Sequence, residues 1–276
     1  MRQGPTSLLR AYAVSGNVPA PIMHVRDAAL AHLPPAWTWR AIAWASYAAA
    51  KPELRVMKRF VPRDRLSVDV GSNLGVHSYF LARWSRGVHA FEPNPRLAGY
   101  LERAATRNVR VSTIALSDAT GRATLAIPRL HGVEADPYAT IEPRVASLRG
   151  SLSGEPVHQL EVQTATLDAF GLADVGFIKI DVEGHELAVL RGARETLQRE
   201  RPTLLVELDQ RYLEPPLQEV LDEICSLGYD GFFLVDRDLR PVATFSVDEH
   251  QTQPLVEPAG GPFVENFLFR PLGIDP

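Results

Sequence analysis

The chain has 276 residues, a length that suits one large α/β domain or a domain with an N-terminal extension, and its 45% apolar and 22% charged residues exclude a disordered chain. A net charge of −4 gives no general electrostatic reason to bind nucleic acid or anionic lipid, and the single cysteine, Cys225, excludes an internal disulfide and a cysteine-built zinc site. No apolar run is long enough to span a membrane and no basic start precedes an apolar stretch, so a soluble, cytoplasmic protein is expected.

Residues 1–61 read as a helical extension and 62–276 as the main domain. Met1 to Pro21 is polar and irregular. Val25 to Ala50 has a helical pattern broken at Pro34-Pro35, and its second piece carries Trp37, Trp39, Trp44 and Tyr47 among alanines. Such a stripe packs against the main domain, joins two copies in a homodimer, or covers a substrate pocket; only Arg40 offers charge to anionic lipid. From Leu66 strands and helices alternate: Leu66 to Val70, a helix to Ser85, Val88 to Phe91, a helix from Pro95 to Arg107, then Val109 to Ala115. That rhythm predicts an α/β, Rossmann-like, mostly parallel sheet with right-handed crossovers. Asp118 to Thr166 breaks it. Short alternating runs, Ala123 to Ile127 and Leu160 to Thr164, predict extra strands around a middle, Leu130 to Pro156, that is mobile or forms a lid. The rhythm returns with Val175 to Ile180, a helix from His185 to Arg199, Thr203 to Leu208, a helix from Pro216 to Leu227, and Gly231 to Val235. Val264 to Phe269 has no helix after it and suits an antiparallel closing strand.

Chemistry concentrates at two strand ends. In Leu66-Ser67-Val68-Asp69-Val70-Gly71-Ser72-Asn73-Leu74-Gly75 a buried strand enters a glycine turn spaced Asp-x-Gly-x-x-x-Gly, unlike the Gly-x-Gly-x-x-Gly of dinucleotide sites. Asp69 would repel a pyrophosphate but accept from a cationic amino group, while free N–H groups at the next helix start would hold a carboxylate. S-adenosylmethionine carries both groups. Any α/β protein also has glycine-containing turns. Glu92 ends the next strand before Pro93, where an acid accepts ribose hydroxyls, although a solvated glutamate is the plainer reading. Ser117-Asp118, at the following strand end, would read an adenine amino group or form a plain turn.

The second cluster is Phe177-Ile178-Lys179-Ile180-Asp181-Val182-Glu183-Gly184-His185-Glu186. Lys179 is one of three lysines in the chain, with Lys51 and Lys58. In a central strand it shares a face with Asp181, and its burial requires a partner: Asp181, Glu207 or Asp69. A charge cluster that only fixes the strand end is the competing reading. Glu186 sits where a helix dipole favours acids in any case. His185 and His77 are candidate bases, and Asp181, Glu183, Glu207 and Asp209 would suit a hard divalent cation, although no metal enters the favoured reading.

The motifs Val68 to Gly75, Phe91-Glu92-Pro93-Asn94-Pro95, Ala115-Leu116-Ser117-Asp118, Thr166-Leu167-Asp168, Ile178 to Glu186 with Leu190-Arg191-Gly192-Ala193, and Arg201-Pro202 before Leu205-Val206-Glu207 together resemble the FkbM family of S-adenosylmethionine-dependent methyltransferases. The resemblance runs from Leu66 to Phe269. It implies the seven-stranded methyltransferase sheet with an antiparallel last strand, and O-methylation of a hydroxyl on a sugar or secondary metabolite, a small-molecule acceptor. It implies that Asp69, Gly71, Asn73, Gly75, Glu92 and Asp118 bind the cofactor and that Lys179, Asp181, Glu183 and Glu207 lie near the acceptor, where a hydroxyl needs a base: Asp181 first, His185 second. Two rivals stand beside it. One is an NAD(P)-dependent oxidoreductase, which the glycine spacing disfavours; the other is a non-catalytic scaffold that keeps the fold and the cofactor.

Overall fold

The computed structural model describes residues 34–48, 52–130, 133–256 and 261–273; the expected N-terminal arm and the helical piece before Pro34 lie outside them. Helices α1 (Pro35–Ala48) and α2 (Pro52–Met57) come first, each begun by a proline, whose missing N–H has no helical partner to lose there. Then follow β1 (Leu66–Val70), α3 (Val76–Trp84), β2 (Gly87–Phe91), α4 (Pro95–Ala104) and β3 (Val109–Ser112). Asn94 caps α4 by accepting from the Arg96 N–H at 3.0 Å. The expected Val109 to Ala115 strand splits, because Ala115 leaves β3 to begin β4 (Ala115–Leu116) in a separate sheet with β5 (Gly121–Ile127) and β8 (His158–Ala165).

Between β5 and β8 the expected mobile middle contains the hairpin β6 (Arg129–Leu130) and β7 (Val133–Glu134), and an eleven-residue helix, α5 (Pro143–Ser153). Its buried side chains include Val145 and the charged Arg149, so no apolar stripe marks it in sequence. The chain then forms β9 (Val175–Ile180), α6 (Glu186–Arg191), α7 (Arg194–Glu200), β10 (Thr203–Glu207), α8 (Leu217–Ser226), β11 (Tyr229–Val235), β12 (Asp238–Pro241) and β13 (Asn266–Pro271). The single helix expected from His185 is two, broken at Gly192. A Cβ there would lie 2.0 Å from the Ser117 carbonyl oxygen, and Asp168 caps the second piece by accepting from the Glu195 and Thr196 N–H groups at 3.0 and 2.8 Å.

The main sheet runs β12-β11-β13-β10-β9-β1-β2-β3, parallel from β10 to β3 and antiparallel around β13. The seven expected strands are there, with β12 added at the edge as the return of a hairpin from β11. One face, with Val68, Val70, Ile178 and Ile180, packs on α6, α7 and α8. The other, with Val88, Phe177 and Leu205, packs on α1 to α4. Asp69 and Lys179 are register partners on β1 and β9, and the two-residue alternation puts Lys179 on the same side as Phe177. No described helix is long and apolar enough to cross a membrane.

Candidate active site

Strand β1 lies between β2 and β9, so successive strands are added to its two sides in turn, and open α/β sheets bind ligands outside the carboxyl ends at such a point. There Gly71, Asn73 and Gly75 have φ of +73°, +50° and +74°, the left-handed region that glycine adopts freely and asparagine tolerates. A Cβ on Gly71 would sit 1.9 Å from the Asp181 carbonyl oxygen, so glycine lets the loop after β1 press against the loop after β9.

A cleft with about 590 Å³ of open space lies over these ends. Val70, Phe91, Ile114, Leu116, Leu125 and Ile141 supply apolar walls, and Glu92 and Asp181 are among its acids. Glu92 accepts from the Asn73 N–H at 2.6 Å and the Asn94 N–H at 2.9 Å, one bond to each carboxylate oxygen. Burial pushes its pKa up to about 7, against the pull of those two N–H groups. Asp69 and Gly75 differ from expectation. Asp69 is fully buried behind the loop, accepts from Ser78 Oγ at 2.5 Å and lies 3.6 Å from Lys179 Nζ; it ties α3 to the sheet and does not line the cleft. Gly75 faces Leu101 and Trp39, and its carbonyl accepts from Trp39 Nε1 at 2.8 Å, so it serves packing. Asp118 is exposed and also outside the cleft lining, in contact with Ser117 Oγ at 3.2 Å.

A second hollow, of about 370 Å³, opens beside the cleft and shares Asp181 and Glu183 with it. Lys179 is held by Asp181 at 3.1 Å, by Asp69 and by the Gly71 carbonyl at 3.2 Å. Burial alone would lower its pKa, but the charges of Asp181 and Asp69 outweigh burial and raise it, so the ammonium stays charged. Glu207 adds to that field and lines the hollow; the ion pairs of Lys179 are with Asp181 and Asp69. Glu183, at φ +59°, pairs with Arg149 of α5, and burial raises its pKa despite that partner. Glu186 accepts from the Val182 and Gly184 N–H groups at 3.1 and 3.0 Å and so pins the strained loop, the structural role its place at a helix start suggested.

His185 donates from Nδ1 to Glu142, since a carboxylate only accepts, and its Nε2 lies within hydrogen-bond distance of the Ser117 hydroxyl, at 2.9 Å. Both ring nitrogens are engaged. His77 faces Glu53 at 3.9 Å and does not line either pocket. Carboxylate oxygens of Asp181, Glu183 and Glu207 approach within 4.8 Å of one another, yet Asp181 and Glu183 are already committed to Lys179 and Arg149. Sequence reasoning missed Arg149, Tyr138, Glu142 and Tyr212, which reach the site from α5, its approach and the segment after β10, and nothing in their local pattern marks them.

The family model described as the methyltransferase FkbM domain matches residues 69–230. The chain belongs to the FkbM methyltransferase family. Its methyl donor is S-adenosylmethionine. The chain also resembles, at 28% identity over 194 residues, the hexuronic acid methyltransferase AglP of Haloferax volcanii, across 67% of this chain and 75% of that one. Methyltransferase FkbM of Methylobacillus flagellatus superposes with a TM-score of 0.47 at 14% identity over 96% of this chain, which spans 58% of that structure. Precorrin-8W decarboxylase of Methanobacterium thermoautotrophicum gives 0.43 at 13% identity, over 80% of this chain and 90% of that one. The cleft fits an adenosine: apolar walls suit the base, and each Glu92 oxygen keeps a second acceptor site for a ribose diol.

Proposed function

We propose that the chain moves a methyl group from S-adenosylmethionine to a hydroxyl oxygen of a sugar-like small molecule. The observation that carries this reading is that Asp181 belongs to both the nucleoside cleft and the hollow beside it, at the carboxyl edge of β9. The likeness to a hexuronic acid methyltransferase supports a sugar acceptor. In this reading Glu92 takes the ribose, the loop from Gly71 through Asn73 positions Glu92 by the Asn73 N–H, and the acceptor sits over Asp181, Glu183 and Glu207. Bound S-adenosylmethionine supplies an already activated methyl on a sulfonium. The protein's work is then to align the acceptor oxygen, exclude water and take one proton.

Asp181 is the proposed base. Its Oδ2 lies 3.1 Å from Lys179, whose ammonium orients it, while His185 has both nitrogens engaged and would first have to release Ser117. The test is Asp181→Asn. Lys179 keeps Asp69 as counter-charge, so the variant is expected to fold and to bind S-adenosylhomocysteine nearly normally, and to lose roughly 10²-fold or more in turnover. Near wild-type turnover in a folded, cofactor-binding variant removes Asp181 from the mechanism and passes the role to His185.

A further inference from the structure

We propose that the outer face of α1 docks on an anionic lipid bilayer, with Trp37 and Trp44 entering the headgroup layer and cations from three neighbouring stretches meeting the lipid phosphates. Helix α1 carries one charged residue, Arg40, and is apolar on two sides. A helix apolar all round belongs in an interior, yet the domain covers one side of this one, through Trp39 and Ala43. On the other side Trp37, Ala41, Trp44 and Ala48 follow at spacings of four, three and four, so they stack along one line of the helix. All four are exposed, the two tryptophans at 75% and 49%.

The face continues onto the elements beside it. The Trp44 ring lies 5.5 Å from that of Tyr47 and 5.6 Å from that of Phe80, which stacks on Trp84 at 5.3 Å. Tyr79 joins the patch by accepting from Trp44 Nε1 at 3.2 Å. Cations sit on these rings: Arg55 of α2 over Tyr47 at 5.1 Å, Lys58 over Trp84 at 6.0 Å, and Arg83 of α3 over Tyr79 at 3.4 Å. Acids are scarce, because α1, α2 and α3 hold one carboxylate between them, Glu53, buried and facing His77. The chain's net charge of −4 thus hides a positive face, and where the sequence offered Arg40 alone, the fold adds three cations.

An apolar centre with a cationic rim selects the occupant. Tryptophan settles at the headgroup level of a bilayer, and Lys and Arg beside it are drawn to anionic lipid. A second copy would bring two positive rims together with no exposed carboxylate of these helices between them, which opposes pairing. A nucleic acid would lay its phosphates across the charge-free Trp and Ala line, where no counterion is replaced. Trp39 points away from this line and holds the Gly75 carbonyl, so the docked face lies one helix diameter, about 10 Å, from the donor loop.

The experiment mixes the whole chain with vesicles of phosphatidylcholine alone, or of equal parts phosphatidylcholine and phosphatidylglycerol, and reads co-sedimentation and tryptophan emission. Binding at least tenfold stronger to the anionic vesicles, a blue shift of emission and release by high salt are expected. Trp37→Ser, and separately Arg40→Glu combined with Lys58→Glu, are each expected to weaken that binding about tenfold. S-adenosylhomocysteine affinity and melting should stay at parent values in both, since these exposed side chains do not line the cleft. Equal binding to the two vesicles, or variants that bind as the parent does, overturns the proposal. No binding to either, the result if another segment of the chain covers the face, overturns it too. A dimer in sedimentation that Trp37→Ser splits would assign the face to a second copy instead, and binding to duplex DNA as tight as to the anionic vesicles would assign it to nucleic acid; each overturns the lipid reading.

Discussion

Glu92 shows how one side chain ties two loops of the cleft together and makes stability depend on pH. Both its oxygens are taken by backbone N–H groups from two loops, and it sits in a wall that burial makes hostile to charge. Its carboxyl therefore holds a proton to a higher pH in the folded chain, to about 7, than its ordinary value of 4.5. The folded state binds more protons than the unfolded between those limits, so this contribution to stability is complete below about pH 4.5 and lost as pH rises through about 7. Its size is on the order of 3 kcal/mol. Urea denaturation of ligand-free protein is expected to show Glu92→Gln flattening the fall in stability between pH 5 and 8. The same variant should bind S-adenosylhomocysteine about tenfold or more weakly, because an amide offers one acceptor oxygen where the ribose needs a pair. An unchanged affinity would remove the ribose from Glu92.

At the level of elements, α5 and its approach close over the site through named links: Glu142 to His185, the Thr140 hydroxyl to the Glu183 carbonyl at 2.8 Å, and Arg149 to Glu183. Removing one partner of a buried ion pair is far more damaging than the pair is stabilising, because the remaining charge stays desolvated. Arg149→Leu is expected to lower stability by about 3 kcal/mol and to speed hydrogen exchange across residues 143–151 well before the main sheet opens. Exchange there that stays as slow as in the parent chain would show that α5 is held by something other than this clamp. None of this was legible in the sequence. Periodicity finds elements that bury an apolar stripe, and it located β1, β9, β10 and α8 because their cores are Val, Ile and Leu. Helix α5 buries a guanidinium. Conversely, Lys179 stood out because a lone lysine in an apolar strand demands a partner, and the partners found, Asp181 and Asp69, were among those expected. That Asp118 is exposed outside the cleft lining and that Gly75 packs on Trp39 and Leu101 was not legible, because a strand-end position says where the backbone goes, and whether the residue meets solvent, the core or a cleft depends on neighbours distant in sequence.

For the whole molecule the question is how the segment before Leu66 bears on the site. Trp39 and Ala43 of α1, with Leu54 and Met57 of α2, share one core with Tyr79, Leu81, Leu97 and Leu101 of the sheet's helices. Trp37 and Trp44 remain 75% and 49% exposed on α1. Trp39 does more than pack. Its indole N–H holds the Gly75 carbonyl, the end of the loop whose Asn73 N–H holds Glu92. Two variants separate the roles. Trp39→Ala removes ring and donor and is expected to cost about 3–5 kcal/mol of stability. Trp39→Phe keeps most of the apolar contact and loses the hydrogen bond, at about 1 kcal/mol, since the Gly75 carbonyl still accepts from the Tyr79 N–H at 2.9 Å. If α1 positions the donor loop, Trp39→Phe should weaken S-adenosylhomocysteine binding several-fold by calorimetry with little change in melting. If α1 is only packing, affinity should stay at the parent value in Trp39→Phe and fall in Trp39→Ala only as far as folded protein is lost. The direct link from the indole to the cofactor loop favours the first outcome, which would make residues well outside the 69–230 family match part of the donor site's support.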